Sequence, residues 1–189
     1  MRIVALQSSP NRDGLTAGLA AAALRGAASL GTETELIHLN DHPVNLCRAC
    51  GDGWGQCRRK EDCIQKDEDD FYALREKLIA ADGVIFATPV YFWDLSESAR
   101  TFLDRLRRSE WPRRQESAFY GKPFIGIAAA GGSGTGSPRA VKCLEDYLNW
   151  IPFSPVAFLP VSRQNKDLQL AAAERAGQFM AEQLRGRPR

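Results

Sequence analysis

Asp82-Gly-Val-Ile-Phe-Ala-Thr-Pro-Val-Tyr-Phe-Trp-Asp-Leu-Ser-Glu-Ser-Ala-Arg-Thr-Phe-Leu-Asp-Arg105 is the stretch that decides the fold. Val84-Ile-Phe-Ala87 is a continuous apolar run, the pattern of a strand buried on both faces. Leu95, Ala99, Phe102 and Leu106 then recur at helical spacing. A doubly buried strand feeding an amphipathic helix is part of a βαβ unit, and such units build parallel sheets. Between strand and helix lies Thr88-Pro-Val-Tyr-Phe-Trp93, read as a stiff turn rich in aromatics. In open α/β sheets, ligands bind beyond the carboxyl ends of the strands. An aromatic turn at that place suits a flat ring.

The same alternation extends outward in both directions. Ile3–Leu6 is a short apolar strand, and Leu15, Leu19, Ala22 and Ala23 follow at helical spacing with Gly31 as a stop. Thr34–Leu39 alternates like a second strand, residues 40–66 are irregular, and Phe71, Leu74 and Leu78 mark the next helix. Beyond the opening stretch, Pro123–Ala129 is a strand and Val141, Leu144 and Leu148 line a helix. Phe153–Leu159 is a strand whose Pro155 suits a sheet edge, and Ala173, Ala176, Met180 and Leu184 line the last helix. Five strands alternating with five helices predict an α/β three-layer sandwich with a parallel sheet in flavodoxin-like order 2-1-3-4-5; a Rossmann variant is the alternative. At 189 residues the chain is sized for one domain. That domain is expected over 1–186, with a cysteine-containing loop at about 43–66 and a frayed tail at 187–189.

Composition narrows the function classes. A formal charge of +2 is too small to steer the molecule toward nucleic acid or a membrane surface. No apolar run approaches the ~20 residues of a spanning helix. Met1–Leu6 reads as a strand and is too short for a signal-peptide core, so a cytoplasmic location is expected. Five cysteines in that compartment start out reduced.

The first strand-to-helix loop, Ser8-Ser-Pro-Asn-Arg-Asp-Gly-Leu-Thr16, places hydroxyls and backbone N–H groups at a helix N-terminus. Such an arrangement binds phosphate without a lysine, with Ser9, Asn11 and Thr16 as side-chain donors. An N-cap followed by a turn has the same composition. The chain has neither a Walker A lysine motif nor a G-x-G-x-x-G. Its two histidines, His38 and His42, have no evident nucleophile partner and read as satisfied strand-end residues.

Three segments together resemble the NADPH-dependent FMN reductase family, and specifically its iron–sulfur flavoprotein branch. Ser9-Pro10…Gly14…Thr16 is similar to the family's phosphate loop. Thr88-Pro-Val-Tyr-Phe92 with Ser96 and Phe102-Leu-Asp-Arg105 resembles its S-P-V-Y-F/W…S…F-L-D-R motif. Ala130-Gly-Gly-Ser-Gly-Thr-Gly136 resembles the glycine-rich loop after the fourth strand. The resemblance implies a flavodoxin-like fold with Ser9, Asn11 and Thr16 holding the FMN phosphate. Pro89, Val90, Tyr91, Phe92 and Trp93 would contact the isoalloxazine ring, and Gly131, Gly132 and Ser133 would approach its other edge. Ser8, Asn11 and Leu15 depart from the family's Gly, Arg and Asn, and Trp93 stands where a small residue is usual. No catalytic side chain is implied, since hydride transfer takes place at the flavin itself.

Cys47-x2-Cys50-x6-Cys57-x5-Cys63 is followed by Asp67. The branch carries a C-x2-C-x2-C-x5-C pattern, and this chain keeps its first and last spacings with a glycine-rich insertion between. Four thiolates on one loop suit a [4Fe–4S] cluster, zinc, or no metal at all. Cys143 reads as a small buried hydrophobe. The run of Arg105, Arg107, Arg108, Arg113 and Arg114 reads as a solvated helix end, with the NADPH 2′-phosphate or an acidic partner as alternatives. Asp67–Asp70 reads as an acidic helix start. The expected activity is FMN-dependent hydride transfer from NAD(P)H to a flavin, quinone or similar acceptor. An iron–sulfur flavoprotein exchanging electrons with a redox protein is the alternative, and a non-catalytic flavodoxin-like binding module is the third reading. The resemblance also implies a homodimer or homotetramer.

Overall fold

β1 (Arg2–Gln7), β3 (Gly83–Tyr91) and β5 (Pro123–Ala130) are apolar along most of their length, and the fold buries both of their faces. The computed structural model describes residues 1–186, so the tail expected at 187–189 lies outside the described residues. The other strands are β2 (Glu33–His38), β4 (Asp94–Leu95) and β6 (Ser154–Ser162). The helices are α1 (Leu15–Ala28), α2 (Phe71–Ala80), α3 (Glu97–Glu110), α4 (Ser137–Tyr147) and α5 (Lys166–Arg185). The strands run in the order β2-β1-β3-β5-β6, all parallel. This is the 2-1-3-4-5 order read from the sequence, with the Pro155 strand at an edge.

One difference is a sixth, two-residue strand. β4 pairs antiparallel with the end of β3, Val90 with Leu95 and Tyr91 with Asp94. Thr88–Tyr91 therefore belongs to the strand, and only Phe92 and Trp93 turn. Pro89 ends the parallel ladder opposite Ala129, where its missing N–H costs little.

Alternate strand residues feed two cores. Val4, Leu6, Val84, Phe86, Phe124 and Ala128 face Phe71, Leu74, Ala99, Phe102, Ala140 and Leu144 of α2, α3 and α4. Ile3, Ala5, Ile85, Ala87, Ile125 and Ile127 face the alanine-rich side of α1 and the buried side of α5. α1 and α5 touch backbone to backbone. A Cβ at Gly26 would lie 1.8 Å from the Glu174 carbonyl oxygen, and one at Gly177 would lie 1.8 Å from that of Ala23. No helix among the described residues is long and apolar enough to cross a membrane.

Candidate functional site

The carboxyl ends of β1, β3 and β5 bring the three singled-out loops to one edge of the sheet. The first loop is tied to β3 and to the start of α3 through buried hydroxyls. The Ser8 N–H donates to the Ala87 carbonyl at 2.9 Å, and the Ser96 hydroxyl donates to Ser8 Oγ at 2.9 Å. Thr88 Oγ1 accepts from the Ser96 N–H at 3.2 Å, and Ser96 Oγ caps α3 by accepting from the Ala99 N–H. Ser98 Oγ and Asn40 Nδ2 both donate to the Ser8 carbonyl, at 3.3 and 3.0 Å. Gln7 holds both sides of the Ser9 peptide: its Oε1 accepts from the Ser9 N–H at 2.7 Å and its Nε2 donates to the Ser9 carbonyl at 3.0 Å.

The loop then turns on Ser9 and Asn11. Ser9 Oγ accepts from the Asn11 N–H, and Asn11 Oδ1 accepts from the Asp13 N–H, each at 3.2 Å. Gly14 sits at the N-cap of α1 with no side-chain cap, and the first turn carries no acidic residue. Free N–H groups at a positive helix end with no carboxylate in the first turn form an anion-compatible site, with Asp13 just ahead of the cap. Ser9 and Thr16 are buried and Asn11 is exposed.

Phe92 and Trp93 form the two-residue connection of the β3–β4 hairpin, with φ values of 50° and 61°. A two-residue hairpin with both φ values positive is the type I′ pattern, which favours Asn and Gly. Here two bulky aromatics hold it, and Phe92 is 97% exposed. The Trp93 indole N–H donates to Thr135 Oγ1 at 3.1 Å, tying the hairpin to the glycine loop. Gly136, at φ 88°, accommodates the indole, since a Cβ there would lie 2.2 Å from Trp93. Between hairpin and loop lies a hollow of about 230 Å³, lined by Val90, Phe92, Trp93 and residues 130–135. A Cβ added at Gly131 or Gly132 would meet nothing within 4 Å, so the loop leaves open space on that side.

Among the sequence-predicted residues, Ser9, Asn11 and Thr16 therefore share the first loop. Pro89, Val90, Tyr91, Phe92 and Trp93 line the strand end and hairpin, and Gly131, Gly132 and Ser133 form the facing wall. Sequence reasoning did not find Gln7, Asn40 and Ser98, which hold the loops together. Their roles arise from register, such as Gln7 opposite His38, and not from a local motif. The histidines are satisfied as read. His38 Nδ1 meets Gln7 Nε2 at 2.5 Å, and His42 Nδ1 meets Asp70 Oδ2 at 2.9 Å.

The four-cysteine loop lies along α3, where Arg105 donates to the Asn45 carbonyl and Arg108 to that of Gly53. Cys47, Cys50, Cys57 and Cys63 are free and half-buried. Backbone at Ala49, Gly51, Asp52, Gly53, Gly55 and Lys60 has positive φ. A Cβ at Gly55 would sit 3.1 Å from Cys57 Sγ and 3.3 Å from Cys50 Sγ, so these two thiols close over a position that glycine leaves open. Burial pushes the Cys57 thiol up; Arg108 opposes this, and the other three thiols add to it. The other three sulfurs thus lie within electrostatic reach of Cys57. Four soft donors on one loop suit a [4Fe–4S] cluster in kind. Their side chains do not converge: among the described residues no three Cys, His, Asp or Glu groups are arranged as a metal site.

Two readings of single residues need correction. Arg105 is not a solvated helix end. It is buried and paired with buried Asp69, and its guanidinium lies 4.3 Å from the Phe71 ring centroid. Asp69 also accepts from the Asn45 N–H at 2.7 Å and the Phe71 N–H at 3.1 Å, so it clasps both ends of the cysteine loop to α3. The acidic run starts α2 as read, with Asp70 at the N-cap and Asp69 accepting from the Phe71 N–H, and through the Asp69–Arg105 pair it also serves as a tether. Cys143 is half-buried rather than a core hydrophobe, and burial together with Asp94 pushes its thiol up.

Residues 1–162 match the family model described as NADPH-dependent FMN reductase. The chain belongs to that family of FMN-dependent oxidoreductases. It is similar to an iron–sulfur flavoprotein of Methanocaldococcus jannaschii, 30% identical over 135 residues that cover 71% of this chain and 67% of the relative. It is also similar to an iron–sulfur flavoprotein of Archaeoglobus fulgidus, 32% identical over 106 residues that cover 56% of this chain. The match spans about half of that relative's length, 46%. A flavodoxin from the domain Archaea superposes with a TM-score of 0.64 at 16% identity, covering 98% of this chain and 99% of the other, which shows a common fold.

Proposed function

We propose that this chain is an FMN-dependent oxidoreductase that takes hydride from NAD(P)H and reduces a flavin, quinone or similar acceptor. The observation that carries the reading is the meeting of three loops at one sheet edge: an uncapped helix start, an aromatic hairpin and an open glycine wall. In this reading the α1 N-terminus with Ser9, Asn11 and Thr16 holds the FMN phosphate. Pro89, Val90, Tyr91, Phe92 and Trp93 hold one side of the ring, and Gly131, Gly132 and Ser133 let the backbone approach its other edge. Bound FMN supplies the hydride-accepting centre, so the protein needs no nucleophile of its own. The side chains position and shield. Trp93, pinned to Thr135, sets how far the hairpin stands from the glycine loop, and exposed Phe92 extends the apolar wall. The protein acts in the cytoplasm as a homodimer or homotetramer.

Reconstitution tests this reading. FMN added to flavin-free protein is expected to bind at one site per chain, and NADPH added without oxygen is expected to bleach the flavin's visible bands. Thr16→Ala is expected to weaken FMN binding. A protein that takes up no FMN refutes the proposal, and unchanged affinity in Thr16→Ala refutes the phosphate assignment.

The cysteine loop favours a second reading, an iron–sulfur flavoprotein that exchanges electrons with a redox protein. Cys47, Cys50, Cys57 and Cys63 would hold a [4Fe–4S] cluster, a one-electron centre. Anaerobic incubation with iron and sulfide, followed by iron and sulfide analysis, separates the two. Near-stoichiometric incorporation that Cys50→Ser and Cys57→Ser abolish supports the second reading. If neither FMN nor cluster is taken up, the chain is a non-catalytic binding module.

A further inference from the structure

Between the four-cysteine loop and the C-terminal ends of α3 and α4 runs a cleft of about 590 Å³ that shares no residue with the hairpin hollow. Small-molecule sites span roughly 300–1,000 Å³ and are mostly apolar. Three of the chain's four tryptophans, Trp54, Trp111 and Trp150, line this cleft. Trp54 and Trp150 are 60% and 46% exposed, so the core does not account for them.

The walls are braced before any ligand arrives. Trp111 and Trp150 meet edge-on with centroids 6.0 Å apart. Arg108 Nη1 donates to the Gly53 carbonyl at 2.7 Å and holds the loop against α3. The Arg58 guanidinium lies 4.6 Å from the Trp54 ring centroid. The lining carries three guanidinium groups, Arg58, Arg107 and Arg108, and one carboxylate, Asp52. Arg107 is paired with Asp104 at 2.9 Å, whereas Arg58 and Arg108 have no carboxylate partner among the described residues.

We propose that this cleft binds a planar aromatic anion. The ring would slot among the three indoles, and its carboxylate, sulfonate or phosphate would face Arg58 and Arg108. Indole faces favour a flat apolar body, and guanidinium groups without a carboxylate partner favour a planar or multidentate anion over a neutral group. A two-fold axis passing through the cleft would set Arg58 and Arg108 against their own copies, and like charge argues against that arrangement. The inference does not depend on the flavin assignment, since it concerns a different part of the molecule.

Calorimetric titration of the protein, with and without added FMN, with naphthalene-2-sulfonate and with its neutral sulfonamide tests the proposal. One site per chain is expected, with the sulfonate about tenfold tighter, an increment of about 1.4 kcal/mol. Only the sulfonate's affinity should fall as salt rises. Arg58→Gln should remove most of the preference while leaving sulfonamide binding, and Trp150→Ala should weaken both ligands. FMN affinity should stay unchanged in both variants, with circular dichroism confirming their fold. Equal affinity for the two probes overturns the proposal, as does displacement of the probe by free FMN. So does absence of binding accompanied by concentration-dependent shielding of tryptophan fluorescence from acrylamide, which would mean that a second copy covers the cleft.

Discussion

Phe92 is the residue whose replacement separates stability from function most cleanly. It occupies the first position of a type I′ hairpin turn at φ 50°, where an L-residue with a bulky side chain is disfavoured by about 1–2 kcal/mol. Its ring is 97% exposed, so almost no packing offsets that cost. Asn adopts this backbone region readily and is a usual occupant of the position. Phe92→Asn should therefore stabilise the flavin-free protein by about 1 kcal/mol, which for a chain of this size raises Tm by about 2–4 °C. Strain of this kind persists at sites where the strained group has a task. If that task is to wall the flavin ring, FMN should bind Phe92→Asn more weakly, and the Tm gain should shrink or reverse at saturating FMN. Thermal unfolding followed by circular dichroism, with and without FMN, reads both effects. A lower Tm in the flavin-free variant would refute the strain argument. A higher Tm with unchanged FMN affinity would leave the strain real but sever it from the ring.

Gly177→Ala forces a Cβ to within 1.8 Å of the Ala23 carbonyl and should destabilise by at least the roughly 1–3 kcal/mol of an overpacked contact. Gly18→Ala, whose Cβ would meet nothing within 4 Å, should instead stabilise by up to about 1 kcal/mol through helix propensity; urea unfolding of both variants checks the contrast. Asp69→Asn leaves the buried Arg105 charge without its partner and should cost about 3–5 kcal/mol. The released cysteine loop should also become a tryptic site at Arg58–Lys60. Lys122 is buried, donates to the Leu78 and Ile79 carbonyls at the end of α2, and is pushed down by burial to about 8 from its usual 10.5. Between those values the unfolded chain carries a proton that the folded chain has lost, so stability gains with rising pH across this window. The stability difference between wild type and Lys122→Met, measured by denaturant titration, should therefore grow in favour of wild type from pH 8 to 10.5. A flat difference would contradict the assignment.

The parts of the fold that were legible in the sequence are those set by local periodicity. β3 and α3 were readable because Val84–Ala87 is buried on both faces and Ala99, Phe102 and Leu106 sit on one side of a helix. The sheet order followed because parallel strands joined by helices admit few arrangements. The three loops of the candidate site were legible as strand-to-helix junctions, and the order of strands then fixes where they meet. The hydroxyl network joining Ser8 to Thr88, Ser96 and Ser98 was not legible, because Ser8 lies 88 and 90 residues from Ser96 and Ser98 in sequence. Arg105–Asp69 was hidden for the same reason: a buried ion pair between α3 and the loop before α2 has no local signature, and a basic run ordinarily reads as solvated.

β4 was missed for a different reason. A type I′ turn announces itself through Asn or Gly, and here Phe92 and Trp93 occupy it. Residues that contradict their local backbone are concentrated in this molecule. Non-glycine residues with positive φ are Ala49, Asp52, Lys60, Phe92, Trp93 and Arg114. Phe92 and Trp93 line the hollow facing the glycine loop, Asp52 lines the tryptophan–arginine cleft, and Ala49 and Lys60 lie in the loop that builds one wall of that cleft. The regular strands and helices contain almost none of them. Local rules are broken where a second constraint outweighs them, and in natural proteins that constraint is commonly function. The positive-φ residues of the hairpin and the cysteine loop therefore carry information of their own. Five of the six lie at the hairpin hollow or in the loop that walls the tryptophan–arginine cleft, a physical direction independent of the cavities themselves, and Arg114 lines neither.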